Sequence, residues 1–209
     1  VDSVAQLETK IDAMPDNATV QTLNLTTGVD TLVGTAGNDT YNANLAFNAS
    51  TNKLETVTLN SLDVLDGGAG VDTLNFYSND AAAAGSSLAG TISNIENINI
   101  VSGAGVTVAT SSTITGVENI SAKAIGGAVS IGTKSDVKSV TVTGSATTVG
   151  ISDGGTPGAT TADKIATISV SGNSGAVTIG TAAVNTLDSL TTFNYTNSDK
   201  SATINSAVG

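Results

Sequence analysis

The sequence predicts an all-β chain folded as a β-solenoid, of the β-roll or parallel β-helix kind, with a short N-terminal helix. Three observations carry that expectation. One short apolar pattern recurs along the chain, an apolar residue followed by others three and five positions later. Between its later copies lies a second strand-like run, so each repeat reads as two strands joined by Gly, Ser, Thr and Asn turns. The composition also suits stacked strands: aromatics are 3% of 209 residues, Trp is absent, and Val, Ile, Leu and Ala are interleaved with Thr, Ser and Asn.

The chain opens on Val4, Leu7, Ile11 and Met14, the spacing of one helix face, which Pro15-Asp16-Asn17 stops. Residues 1–16 are therefore expected to be a helical cap over the open end of the stack, or the tail of an upstream helical region. The first residue is Val, which suggests a segment of a longer protein, with any secretion signal lying in the missing part. The apolar pattern then runs Val20, Leu23, Leu25; Leu54, Val57, Leu59; Val71, Leu74, Phe76; Ile95, Ile98, Ile100; Val117, Ile120, Ala122; Val137, Val140, Val142; Ile165, Ile168, Val170; and Leu190, Phe193, Tyr195. The last five copies begin at 95, 117, 137, 165 and 190, hence 22, 20, 28 and 25 residues apart, a solenoid period. The second strand is read in Gly105-Val-Thr-Val108, Gly127-Ala-Val-Ser-Ile131, Thr148-Val-Gly-Ile151, Gly175-Ala-Val-Thr-Ile179 and Ser201-Ala-Thr-Ile204. The competing solenoid, a leucine-rich repeat, needs an Asn or Cys three residues beyond the apolar core, and only Asn173 supplies it.

One stretch is more specific. Gly67-Gly-Ala-Gly-Val-Asp-Thr-Leu-Asn75 fits the nonapeptide G-G-x-G-x-D-x-U-x at every fixed position. A second copy, Gly34-Thr-Ala-Gly37-Asn38-Asp39-Thr40-Tyr41, carries Thr35 in place of the second glycine. Each follows a half-copy nine residues earlier, Gly28-x-Asp30-x-Leu32 and Asp63-x-Leu65. The residue types have physical roles: glycines permit positive-φ turns and expose carbonyl oxygens, Asp supplies a hard anionic oxygen, and the U residue turns inward on a short strand. Calcium takes such oxygens, so it is the cofactor this pattern suggests. The plain alternative is that Asp-Gly-Gly-Ala-Gly is a loop between strands.

The motif-bearing coils occupy residues 17–80 and Val/Ile/Gly-rich coils occupy 81–209. The two are expected to be continuous, because Val71, Leu74 and Phe76 belong to both patterns. Residues 42–51 and 153–161 read as loops bulging from the stack. Asp153-Gly-Gly-Thr-Pro-Gly158 reads as a loop rather than a third cation turn.

The formal net charge is −11, and the basic residues are Lys10, Lys53, Lys123, Lys134, Lys138, Lys164 and Lys200. Such a chain will not track a phosphate backbone, so nucleic acid is an unsuitable partner and cations are the natural one. With no Cys, His or Arg, a Ser-His-Asp triad, a thiolate or imidazole metal site and an arginine base are all impossible within the segment. No enzyme activity and no catalytic residue are expected. Paired carboxylates such as Asp63 and Asp66, or Glu96 and Glu118, suit a glycosidase in principle, but read more simply as cation ligands or a solvated face. No hydrophobic run has the length of a membrane span.

With these residues in view, the run from Leu25 through Tyr41, then Asp66-Gly-Gly-Ala-Gly-Val-Asp-Thr-Leu74, resembles RTX-type calcium-binding secreted proteins, and most closely the lattice region of bacterial surface-layer (S-layer) proteins. The resemblance covers about residues 20–80; the later coils are similar in style without being specific. It implies type I secretion, folding outside the cell on meeting calcium, and self-assembly into a two-dimensional crystal at the cell surface. It also implies ligands from Gly28, Asp30, Gly34, Gly37, Asp39, Asp63, Gly67, Gly68, Gly70 and Asp72. The isolated nonapeptide pairs depart from a long RTX array, so each site has fewer neighbouring turns to draw ligands from.

The expected function is thus a structural S-layer segment, with an adhesin or haemagglutinin-like module as the alternative and a non-catalytic part of a secreted enzyme behind it. The expected partner is the chain itself, with outer-membrane lipopolysaccharide or a surface glycan reached through regions beyond this segment. Two physical expectations go with this. Residues 20–80 should be loose without calcium, and Asp72, Glu96 and Glu118 should occupy equivalent positions in successive coils, about 4.8 Å apart.

Overall fold

The computed structural model describes residues 3, 4, 6, 18–78, 86–109, 113–133, 136–144, 146–153, 164–180, 187, 189–198 and 200–205. Over these residues the chain is a parallel β-solenoid. Its long sheet has eight strands, stacked in chain order: Thr22–Asn24, Thr40–Ala43, Thr73–Ser78, Asn97–Ser102, Asn119–Ala124, Ser139–Gly144, Thr167–Ser171 and Thr192–Thr196. Facing its later part is a six-stranded sheet of Ser86–Ser87, Val106–Ala109, Ala128–Thr133, Thr148–Asp153, Val177–Ile179 and Ala202–Ile204. A three-stranded sheet, Thr31–Val33, Val64–Asp66 and Thr91–Ser93, belongs to the first coils.

Side chains alternate across each strand, which explains the apolar spacing. The residues at the second and third positions of the repeat form two stacked inward columns. One runs Leu23, Tyr41, Leu74, Ile98, Ile120, Val140, Ile168, Phe193. The residue at the first position lies just before the strand, and Ile95, Val117, Val137 and Ile165 are buried there. The opposite wall is supplied by Val106, Val129, Val149 and Val177, with Val108, Ile131, Ile151 and Ile179 beside them. Branched side chains on stacked strands fill the space between the sheets in the middle coils, while Tyr41 and Phe76 fill it in the first coils and Phe193 and Tyr195 pack against it in the last.

The outward face of the long sheet is polar, and it carries a ladder. Asn42 Nδ2 donates to Asn24 Oδ1, Asn75 to Asn42 and Asn99 to Asn75, each at 3.1 Å. Identical amides at one register position link successive coils and oppose slippage.

One expected coil is corrected. Leu54, Val57 and Leu59 do not form a rung of the long sheet: Lys53–Val57 pairs antiparallel with Leu45–Asn48 in a hairpin, and Leu54 is exposed. The rung in that place is Thr40–Ala43. Its first apolar position is taken by Asn38 and its third by Ala43, which hid it from the pattern. The excursion expected at 42–51 is this hairpin. The helix expected over residues 1–16 lies outside the described residues except at 3, 4 and 6, as does the 153–158 turn except at Asp153. No helix among the described residues is long and apolar enough to cross a membrane.

Candidate metal centre

The register places the predicted ligands in two columns at the corners of the coil. Asp30 and Asp63 stand one residue before the paired Thr31 and Val64. Gln21, Asp39, Asp72, Glu96, Glu118 and Lys138 stand one residue before the paired starts of successive long-sheet strands. The expected alignment of Asp72, Glu96 and Glu118 therefore holds. The four aspartates do not form one cluster: Asp30 stacks on Asp63, and Asp39 on Asp72. Among the described residues no three acidic side chains converge on one point.

These carboxylates are buried, with Asp72 0%, Asp39 1%, Asp63 1% and Asp30 9% exposed. A buried anion needs partners, and the neighbouring coil supplies one. Gln21 N–H donates to Asp39 Oδ1 (2.6 Å), Asp39 N–H to Asp72 Oδ1 (2.6 Å), and Asp72 N–H to Glu96 Oε2 (2.7 Å). In the other column Asp30 N–H donates to Asp63 Oδ1 (2.9 Å). Asp39, Asp72, Glu96 and Asp63 thus each accept the amide of the residue stacked on them. Charge-assisted bonds of this kind offset the like-charge stacking. Lys138 ends the run by pairing with Glu118 at the surface, 2.5 Å away.

The second carboxylate oxygen is treated differently from turn to turn. Asp30 Oδ2 accepts Thr26 N–H (2.7 Å), and Thr26 Oγ1 donates to Asp30 Oδ1 (2.9 Å). Asp39 Oδ2 accepts both the N–H (2.5 Å) and the hydroxyl (3.0 Å) of Thr35. Asp63 Oδ2 accepts Asn60 N–H (2.8 Å). Asp72 Oδ2 alone has no donor, although it is fully buried. Burial pushes the Asp72 carboxyl above its ordinary pKa; the amide of Asp39 opposes this, and the charges of Glu96, Asp39 and Asp66 add to it. Tyr41 lies close by, with its hydroxyl donating to the Asp66 carbonyl (2.5 Å). Its pKa is pushed up to about 12, first by burial and then by Asp39, Asp72 and Asp66.

The predicted glycines serve two ends. Gly68 and Gly70 take positive φ, 90° and 122°, which the turn requires. Gly34 and Gly67 are needed for close approach. A Cβ on Gly67 would overlap the Asn94 carbonyl oxygen and stand 2.5 Å from Asp72 Oδ2; one on Gly34 would overlap the Gly67 carbonyl oxygen and stand 2.5 Å from Asp39 Oδ2. Gly37 packs against the Thr19 carbonyl, and its N–H donates to Thr35 Oγ1 (3.1 Å). Gly28 N–H likewise donates to Thr26 Oγ1 (3.1 Å), and its carbonyl accepts Asn60 Nδ2 (2.6 Å).

The donor set is all hard oxygen, which suits calcium in kind. The fit is local. Asp72 Oδ2 and the Asn94 carbonyl meet on the side of Gly67 where a side chain would otherwise be, whereas every carboxylate oxygen of Asp30, Asp39 and Asp63 already holds a hydrogen bond. Sequence reasoning missed Thr26, Thr35 and Asn60 as carboxylate partners. Their signal was the shared T-x-G-x-D spacing of 26–30 and 35–39. It also missed that Glu96 caps the Asp72 amide. No protein-family model matches this chain, and no curated protein sequence does. Any functional reading rests on the fold and these turns.

Proposed function

We propose that this chain is a structural segment of a calcium-dependent bacterial S-layer protein, secreted by a type I route and assembling with its own copies into a cell-surface lattice. The observation that carries the reading is Asp72. A fully buried carboxylate with one oxygen lacking a donor, in a turn that fits the calcium nonapeptide at every fixed position, is stabilised by a cation. The same turn stacks in register with the coils that follow, so ordering it orders the entry to the solenoid. A segment without His, Cys or Arg and with a repetitive polar face is read as non-catalytic scaffold. Calcium also screens a net charge of −11 that keeps copies apart.

The adhesin reading draws on the hairpin, where Phe47 and Leu54 face each other across the strands, both 59% exposed. Electron microscopy and light scattering of the full-length protein separate the two. Ordered sheets at millimolar calcium that disperse with EGTA are expected; a protein that stays monomeric in calcium contradicts the lattice and leaves the adhesin.

A further inference from the structure

The turns at 34–39 and 67–72 differ at two positions, Thr35 against Gly68 and Asn38 against Val71, and at the first of these the backbone follows. Gly68 takes a φ of 90°, and its N–H turns to Asp66 Oδ1 (3.2 Å), away from the carboxylate of its own turn. Thr35, β-branched, is strongly disfavoured at such a φ. Its N–H donates to Asp39 Oδ2, and its hydroxyl, with one proton to share, lies between Asp39 Oδ2 and the Thr19 carbonyl of the adjacent coil. A side chain thereby bridges a carboxylate and a neighbouring coil's carbonyl, the two kinds of oxygen a cation would join. Thr26 repeats the carboxylate half of the device at Asp30, its N–H donating to Oδ2 and its hydroxyl to Oδ1, with the same hydroxyl contact to the glycine amide two residues on. At Asp63 the Asn60 N–H fills the corresponding place.

We propose that Thr26 and Thr35 stand in for a cation within their own turns, so that of the four aspartate turns only the one at Asp72 takes a hard divalent ion. Among the described turns one ion is bound rather than one for each nonapeptide-like turn. This rests on calcium being the chain's cation, as proposed above. It goes beyond that reading by fixing the number of ions, their location and the residues that replace the others. The Thr-for-Gly exchange then separates coils that fold without metal from the coil that needs it.

Calcium titration calorimetry on the whole segment, with melts in EGTA, tests this. The wild type is expected to bind one ion. Asp72→Asn should bind none, and Asp39→Asn should retain its one. Thr35→Gly, which restores the Gly-Gly pair, should melt lower in EGTA and bind a second ion, while Thr35→Ser keeps the hydroxyl and behaves as wild type. Two or more ions in the wild type, or equal loss of binding in Asp39→Asn and Asp72→Asn, overturns the single site while leaving the calcium reading intact. An unchanged EGTA melt for Thr35→Gly overturns the role of the hydroxyl even if no variant folds poorly. Absence of any calcium binding by the wild type overturns the calcium reading itself.

Discussion

At the scale of the residue, the decisive contrast is between Asp39 and Asp72, which hold equivalent positions in adjacent coils. Both accept an amide from the coil before, but only Asp39 has a donor for its second oxygen. The sign of the pH dependence follows from burial. The folded Asp72 carboxyl titrates above its ordinary 3.8, so at neutral pH its charge lowers stability; as pH falls through the raised value this cost fades, and below 3.8 it is gone. Asp72→Asn removes the charge while keeping an oxygen for the Asp39 amide. In EGTA at pH 7 the variant should therefore melt above the wild type, and the gap should close as the pH is lowered past 3.8. Added calcium should raise the wild-type midpoint and leave the variant where it is. Circular dichroism melts across pH read all of this, and a variant less stable than wild type at pH 7 in EGTA would count against the burial argument.

At the scale of the element, the first coil is an 18-residue unit, and the hairpin interrupts the second. Thr22 pairs with Thr40, 18 residues on, but Thr40 pairs with Thr73, 33 on, leaving 15 extra residues, the length of 44–58. Removing 44–58 joins Ala43 to Leu59 and restores the spacing from Asn24 to Asp30 between Asn42 and Asp63. The shortened protein should fold with one cooperative transition, losing the exposed Phe47 and Leu54 surface and the packing of Val57 against the core. A broadened melt or aggregation would show that the hairpin is part of the stack. Much of this level was legible in the sequence, because inward positions on a strand must alternate and the Val, Ile and Leu columns recur at fixed offsets. The rung at 40–43 was not, since Tyr41 and Ala43 fill its interior while Asn38 breaks the pattern; Leu54 and Val57 reproduced the spacing by chance in an antiparallel hairpin. The aspartate columns were legible from the nine-residue spacing. The hydrogen bonds that satisfy them were not, because they depend on which coil donates each amide, and spacing alone does not show that.

At the scale of the whole molecule, the solenoid runs from coils whose corners are acidic to coils that use Lys138, Ala166 and Thr191 in the same place. Neighbouring coils stabilise each other, but a demand at one corner need not spread along the whole stack. The expectation that all of residues 20–80 loosen without calcium is accordingly narrowed to the coils that flank Asp72. Hydrogen exchange of the backbone amides, in calcium and in EGTA, tests this most directly. Calcium should slow exchange at Asp39, Asp72 and the strands Thr40–Ala43 and Thr73–Ser78 by about tenfold or more, and leave Ser139–Gly144 onward unchanged. Equal rates with and without calcium at Asp39 and Asp72, or uniform slowing along the whole solenoid, would contradict a cation bound at that one turn.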